Sequence, residues 1–231
     1  IACNTRSIRL GTGIVTVYSR TPSMIAQCIA SLDLVSEGRA MLGLGSSGRI
    51  VIEDWHGLPF KYPLQRTREY IEIIRQALSG EAVNHEGRFY NLRRFRLGAS
   101  PIQKRIPIYL ASLGPKNLDL TGELADGWLP IWVHQGHLAG LKEQVAKGAA
   151  RAGRDISEIS VAPQIMCHVA DGDEDLADAE RRVRAHMTYY IGGMGSYYYD
   201  LFSRYGYKAQ ADALREAWVA GDRAKAASSI T

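Results

Sequence analysis

Two short stretches hold residues whose types and spacing could do chemistry. In the first, "RAMLGLGSSGRIVIEDWHG" over residues 39–57, glycines stand at 43, 45 and 48, the G-x-G-x-x-G spacing of a dinucleotide turn. That chemistry needs a helix to open at the third glycine, so that its amides meet a pyrophosphate. Gly48 is instead followed by Arg49-Ile50-Val51-Ile52 and then by Gly57 and Pro59, a poor opening turn that leaves little room for a crossover helix. Glu69 lies at the distance of a ribose-binding acid, but on a helical stripe and not at a strand end. A plainer use is that Gly43 and Gly45 permit close approach at a strand terminus, where Ser46 and Ser47 offer hydroxyls and amides.

The second stretch is Ser112-Leu113-Gly114-Pro115-Lys116-Asn117. Gly at an N-cap and Pro at the first helical position open a helix directly after an apolar strand, exposing amides and a positive dipole end beside Lys116. A phosphate fits there; simple helix capping explains the same residues.

Other patterns fall away. Gly45-Ser46-Ser47-Gly48 is one residue short of the G-x-S-x-G elbow, so no serine hydrolase is expected. Asp171-Gly172-Asp173-Glu174-Asp175 starts like a calcium loop, but Leu176 and Arg182 stand where the loop needs Gly and Glu, so the acids are read as the start of a helix. His134 and His137 have no third ligand nearby in sequence, and no metal site is expected. Trp55, Trp128 and Trp132 are either ring-stacking surfaces for a flavin-like group or packing residues.

The elements that must position these residues follow from apolar periodicity. Strands are predicted at Ile8–Val15, Ala40–Leu44, Ile106–Ala111, Gly127–Trp132 and Ile159–Val169, each nearly all apolar. Helices are predicted from Thr21-Pro22 to Gly38, Pro63 to Leu78, Lys116 to Ala125 and Leu138 to Ala152, with a hairpin around Glu86–Tyr90. Helical segments run from near Asp173 beyond Trp218, interrupted at Gly192–Ser196. Strand, turn, helix, strand with both sheet faces apolar means a parallel sheet, as a barrel or a doubly wound sheet. Ligands then bind where strands end, at 11–16, 45–49, 111–116 and 130–135.

The 231 residues suit one domain, here residues 1–231. No apolar run is long enough for a membrane span, and a net charge of +4 without basic clusters argues against nucleic acid and allows an anionic small molecule. Cys3, Cys28 and Cys167 show no C-x-x-C spacing, which suits a reducing cytoplasm.

From Ile8 to Val133 the strings "IRLGTGIVTV", "ASLDLVSEGRAMLGLGSSG", "WHGLPF", "RTREYIEIIR" and "IPIYLASLGPKNLDLTGELADGWLP" resemble the bacterial luciferase-like superfamily, and within it the branch that uses the deazaflavin coenzyme F420. The resemblance implies an α/β fold, a (β/α)8 TIM barrel, with the cofactor ring at the carboxyl ends of the strands. It places a strand bulge, often with a non-prolyl cis peptide, at Thr12, Gly13 and Ile14 behind the ring. Ser46 and Ser47 fall at the polar edge of the ring, and Ala111, Ser112, Leu113 and Gly114 form the phosphate turn. The family's members carry two further β/α units before the first strand and a strand and helix after the last, so the chain is expected to be incomplete at both ends.

Some deazaflavin dehydrogenases of the superfamily place a glutamate proton donor where this chain has Gly48, and the family's second-strand His and Trp have no counterpart here, so the catalytic acid and base stay unknown. The implied activity is hydride transfer between reduced deazaflavin and a small organic substrate, in a homodimer. An FMN-dependent monooxygenase, a non-catalytic cofactor-binding protein and a Rossmann dehydrogenase are the alternatives.

Overall fold

The computed structural model describes residues 1–230. By internal contacts the chain forms two compact units, one of residues 1–47 and 56–164, the other of residues 48–55 and the chain from Ile165 onward.

The first unit is built on a parallel sheet. Its strands are β1 (Leu10–Gly11), β2 (Val15–Thr16), β3 (Ala40–Gly45), β6 (Ile108–Leu110), β7 (Gly127–Trp128) and β8 (Ser160–Val161), in the order β1-β3-β6-β7-β8 with β2 also on β3. A separate antiparallel hairpin pairs β4 (Val83–Glu86) with β5 (Asn91–Phe95). The register of the main sheet sets Val15 beside Leu44, Leu44 beside Leu110, and Leu110 beside Trp128. Every pairing is parallel, so all these strands deliver their following loops to one end of the sheet.

Helices α1 (Pro22–Val35), α2 (Pro63–Leu78), α3 (Pro115–Leu124) and α4 (Leu138–Arg151) connect the strands. The side chain of Thr21 caps α1 by accepting from the Met24 amide, and Pro stands at the start of α1, α2 and α3, where its missing N–H is no loss. Gly38, at φ +80, ends the α1 turn. Leu42, Leu44, Ile108 and Leu110 of the sheet are buried with Ile71, Ile73 and Ile74 of α2, and Leu118, Trp128, Val145, Ala149 and Ile159 form a cluster with α3 and α4.

Four expectations are corrected, the fourth in the helical unit below. The first predicted strand is two short ones, separated by a bulge at residues 12–14. The predicted strands Gly127–Trp132 and Ile159–Val169 shrink to Gly127–Trp128 and Ser160–Val161, with one further bridge from Gln164 to Ile131. Pro163 has no amide to donate, and residues 165–170 are exposed and outside any ladder, so their apolar character had no partner to act on. Third, Gly48 is followed by helical residues after all: Arg49 and Ile50, then a π-helical turn Val51–Trp55. The segment is short, and the crossover from β3 to β6 is made by α2.

The second unit is helical apart from its first exposed residues. Helix α5 (Asp173–Gly193) opens on Asp173, Glu174 and Asp175, as acids favour at a helix N-terminus. Helices α6 (Tyr197–Phe202), α7 (Lys208–Val219) and α8 (Arg223–Ser228) follow. Ile191, Ala211, Leu214, Ala217 and Ala226 form its core. The predicted interruption at Gly192 falls later, at Met194–Ser196, because the two glycines belong to the last turn of α5 and give the Trp218 indole a place to lie: a Cβ at Gly192 would come within 2.5 Å of Trp218 Cδ2. No helix of the described residues is long and apolar enough to cross a membrane.

Candidate active site at the strand ends

The first strand breaks between Gly11 and Val15, and the Thr12 side chain closes the gap in the ladder. Its hydroxyl donates to the Gly43 carbonyl at 2.8 Å and accepts from the Gly43 amide at 3.0 Å. The bulge this creates lies directly on β3. A Cβ on Gly43 would overlap the Thr12 carbonyl oxygen, and one on Gly45 would come within 2.7 Å of Ile14 Cδ1 and 3.4 Å of Ala111 Cβ. Two glycines of the triplet thus exist to let a bulge press against its neighbour strand. The Gly13–Ile14 peptide within it is cis, where the resemblance placed one.

Thr12, Gly13, Ile14, Gly45 and Ala111 are therefore brought together. The Ala111 amide donates to Leu44 at 2.9 Å, continuing the ladder to the end of β6. Beyond β3, Ser46 is half-buried and its carbonyl accepts from the Thr16 hydroxyl at 3.5 Å. Ser47 is exposed at φ +60, a left-handed conformation that favours glycine, and Trp132, past β7, sits at φ +58. Non-glycine residues in this region gather at functional loops.

At the end of β6, Ser112 and Leu113 are buried and Gly114 caps α3 in an extended conformation. Asn117 and Leu118 both donate to the Gly114 carbonyl at 2.9 Å, so the amides of Gly114 and Lys116 precede the first intrahelical bond. The Ser112 hydroxyl lies 2.7 Å from Thr121 Oγ1, and the Trp128 indole N–H donates to the Ser112 carbonyl at 2.8 Å. Trp128 is fully buried and packs; it is no stacking surface. Sequence reasoning missed Thr121, whose signal was a hydroxyl on the inner face of the helix that follows the turn.

The residues that spacing had offered elsewhere are occupied. Glu69 is buried, accepts from the amides of Phe89 at 3.1 Å and Tyr90 at 2.9 Å, and meets His85 Nε2 at 3.0 Å, so it ties the β4–β5 hairpin to α2. His134 accepts from the Gly136 amide and its ring meets that of His137 edge-on at 5.4 Å. Among the described residues no group of three His, Cys, Asp or Glu side chains is placed to hold a metal.

A sequence profile of the luciferase-like monooxygenase family matches residues 1–231. The chain belongs to that family. A Mycobacterium tuberculosis protein named as a coenzyme F420-dependent oxidoreductase, Rv3520c, is 35% identical, over 98% of this chain and 70% of its own. The 5,10-methylenetetrahydromethanopterin reductase of Archaeoglobus fulgidus is 32% identical, over 100% of this chain and 68% of its own. The solved structure of coenzyme F420 dependent tetrahydromethanopterin reductase from Methanopyrus kandleri superposes with a TM-score of 0.84 at 31% identity, covering 100% of this chain and 69% of that one. The parallel sheet is thus a section of the luciferase-like TIM-barrel fold, as expected, and the chain spans about 70% of the length of these relatives.

Proposed function

We propose that this luciferase-like protein is an oxidoreductase that moves hydride between coenzyme F420 and a small organic substrate. The observation that carries the reading is the juxtaposition at one end of the sheet of a glycine-backed bulge and a helix-opening turn. Both suit a flat ring with an anionic tail: a Cβ at Gly13 or at Gly114 would meet nothing within 4 Å among the described residues, whereas one at Gly43 or Gly45 would collide. The bulge is open on one side and braced on the other. Relatives named as F420-dependent match nearly the whole chain, which supports the same cofactor here.

In this reading Thr12, Gly13 and Ile14 back the ring, Ser46 and Ser47 offer polar groups at its edge, and Ala111 to Gly114 receive the phosphate. The Thr12 hydroxyl, with its proton on the Gly43 carbonyl, acts by holding the bulge. The deazaflavin supplies the hydride chemistry when bound, and the protein supplies placement and exclusion of water. No acid or base is assigned to this chain. The reading also includes a single catalytic domain, a homodimer and a cytoplasmic setting.

The test is a titration of the full chain with F420 and, in parallel, with FMN, followed by absorbance, then turnover with carbonyl, alkene and pterin-like acceptors. Tight F420 binding with cofactor oxidation by one acceptor class is expected. FMN binding with oxygen uptake would replace the reading with a monooxygenase, the activity for which the family is named. F420 binding without turnover on any acceptor would reduce the protein to a cofactor-binding one.

A further inference from the structure

The turn that opens α3 is held from behind by a chain of buried hydrogen bonds with a definite direction. Thr121 has one hydroxyl proton, and it goes to the Asn117 carbonyl at 2.8 Å. At the 2.7 Å contact between Ser112 and Thr121 the donor is therefore Ser112. The Trp128 indole N–H fixes the Ser112 carbonyl at 2.8 Å. Ser112 is 3% exposed, and Thr121 and Trp128 are 0% exposed, so water does not compete for these groups. The one proton of the Ser112 hydroxyl thus runs inward to α3, and its carbonyl is held by β7.

We infer that Thr121 and Trp128 are positioning residues for the anion turn: by holding the Ser112 hydroxyl and carbonyl inward, they leave the turn to meet a phosphate with the backbone amides of Leu113, Gly114 and Lys116. The inference rests on the proposed cofactor reading for the identity of the anion, and on the hydrogen-bond chain alone for the latch. A serine in a phosphate turn invites the opposite assignment, a hydroxyl that donates to the ligand directly. The two assignments rank substitutions differently. Thr121→Val leaves the buried Ser112 hydroxyl without its acceptor and frees the turn. Ser112→Ala removes the hydroxyl and leaves Thr121 still bonded to Asn117.

The experiment measures F420 affinity by fluorescence and amide exchange at Leu113 and Gly114 by NMR, in the full chain and in Thr121→Val, Thr121→Ser, Trp128→Phe and Ser112→Ala. Thr121→Val and Trp128→Phe are expected to weaken binding about tenfold and speed exchange at both amides, the size of one lost buried hydrogen bond. Thr121→Ser keeps the hydroxyl and is expected to stay within about twofold, whereas Ser112→Ala, which loses the same bond but strands no buried donor, is expected to weaken binding by less than Thr121→Val. Ser112→Ala weaker than Thr121→Val would overturn the inference in favour of a direct hydroxyl ligand. Exchange at Leu113 and Gly114 unchanged in both Thr121→Val and Trp128→Phe would overturn it with or without cofactor binding. A wild-type chain that binds no F420, with both variants exchanging faster, would instead defeat the cofactor reading and leave the latch standing.

Discussion

Thr12 and Gly43 bond to each other twice through a single hydroxyl, which donates to the Gly43 carbonyl at 2.8 Å and accepts from the Gly43 amide at 3.0 Å. A side chain here replaces the backbone ladder where β1 gives way to the bulge, and Gly43 is the only residue type that lets the Thr12 carbonyl come so close. Gly43→Ala forces the two strands apart, and the expected cost is about 1–3 kcal/mol, as for overpacking. Thr12→Val keeps the shape, removes both bonds and is expected to cost about 1–2 kcal/mol. Urea midpoints check both values. If the bulge backs the cofactor ring, both variants also lose F420 affinity by more than their stability loss at the assay temperature can explain.

Glu69 offers a test of the dinucleotide alternative. Its carboxylate already accepts from two hairpin amides and faces His85, and a Cβ on Gly87 would overlap it. Glu69→Gln is expected to destabilise the fold by about 1–3 kcal/mol through the loss of charge-assisted bonds, with faster amide exchange at Phe89 and Tyr90. Titration with NAD is expected to show no binding that depends on Glu69. A Glu69-dependent NAD affinity with the hairpin amides undisturbed would restore the Rossmann reading.

What the sequence made legible follows the range of the interactions. Helix α2 was readable to both ends because Pro63, the stripe of Tyr70, Ile71, Ile74 and Leu78, and the polar flanks act within one segment. The parallel sheet was readable from the alternation of apolar strands and helices. The triplet Gly43, Gly45 and Gly48 was ambiguous because its meaning lies in Thr12 and Ile14, about thirty residues away, and no local pattern reports a neighbour strand. Trp128 reads from sequence as either a stacking surface or core, and what decides between them is its indole on the Ser112 carbonyl, sixteen residues away. Residues 165–169 look like strand because apolar runs do, yet a strand exists only where another strand accepts its amides. Of the site, the positions were visible; the direction of the Ser112 hydroxyl was not, since it depends on Thr121 in the next helix.

In the helical unit, Trp218 is the residue on which a prediction is sharpest. Its ring lies on Gly192 and Gly193, and the Arg223 guanidinium sits 3.6 Å above it. Gly193→Ala would raise helix propensity by roughly 1 kcal/mol in an open site. Here the new Cβ would stand 2.7 Å from Trp218 Cζ2, so the substitution is expected to be net destabilising, with a red-shifted tryptophan emission as the ring is displaced. A stabilised variant with unchanged emission would show that the ring has room to move.

The acid side of the stability profile is set at the opposite end of the sheet from the site, where Asp126 accepts from the Ile108 amide at 2.7 Å, from Arg105 at 2.9 Å, and from Arg75. Burial on its own would raise the Asp126 pKa; the Arg75 guanidinium, the Ile108 amide and Arg105 outweigh it and hold the carboxyl below its ordinary value. A lowered folded-state pKa means that the unfolded chain takes up the proton first. The stabilisation is fully present above the unfolded value of about 3.9, and it is lost as pH falls through the lowered folded value. Glu123, held down chiefly by its hydrogen bond from Arg68, acts in the same direction. Asp126→Asn strands Arg75 in a largely buried place, so the expected loss at neutral pH is about 3–5 kcal/mol. The variant is also expected to show a flatter fall of urea midpoint as pH drops below about 4, with the remaining slope due to Glu123 and other carboxylates. An Asp126→Asn profile parallel to wild type at every pH would mean that the carboxylate carries no linked proton, and that the three donors around it bind an oxygen without regard to its charge.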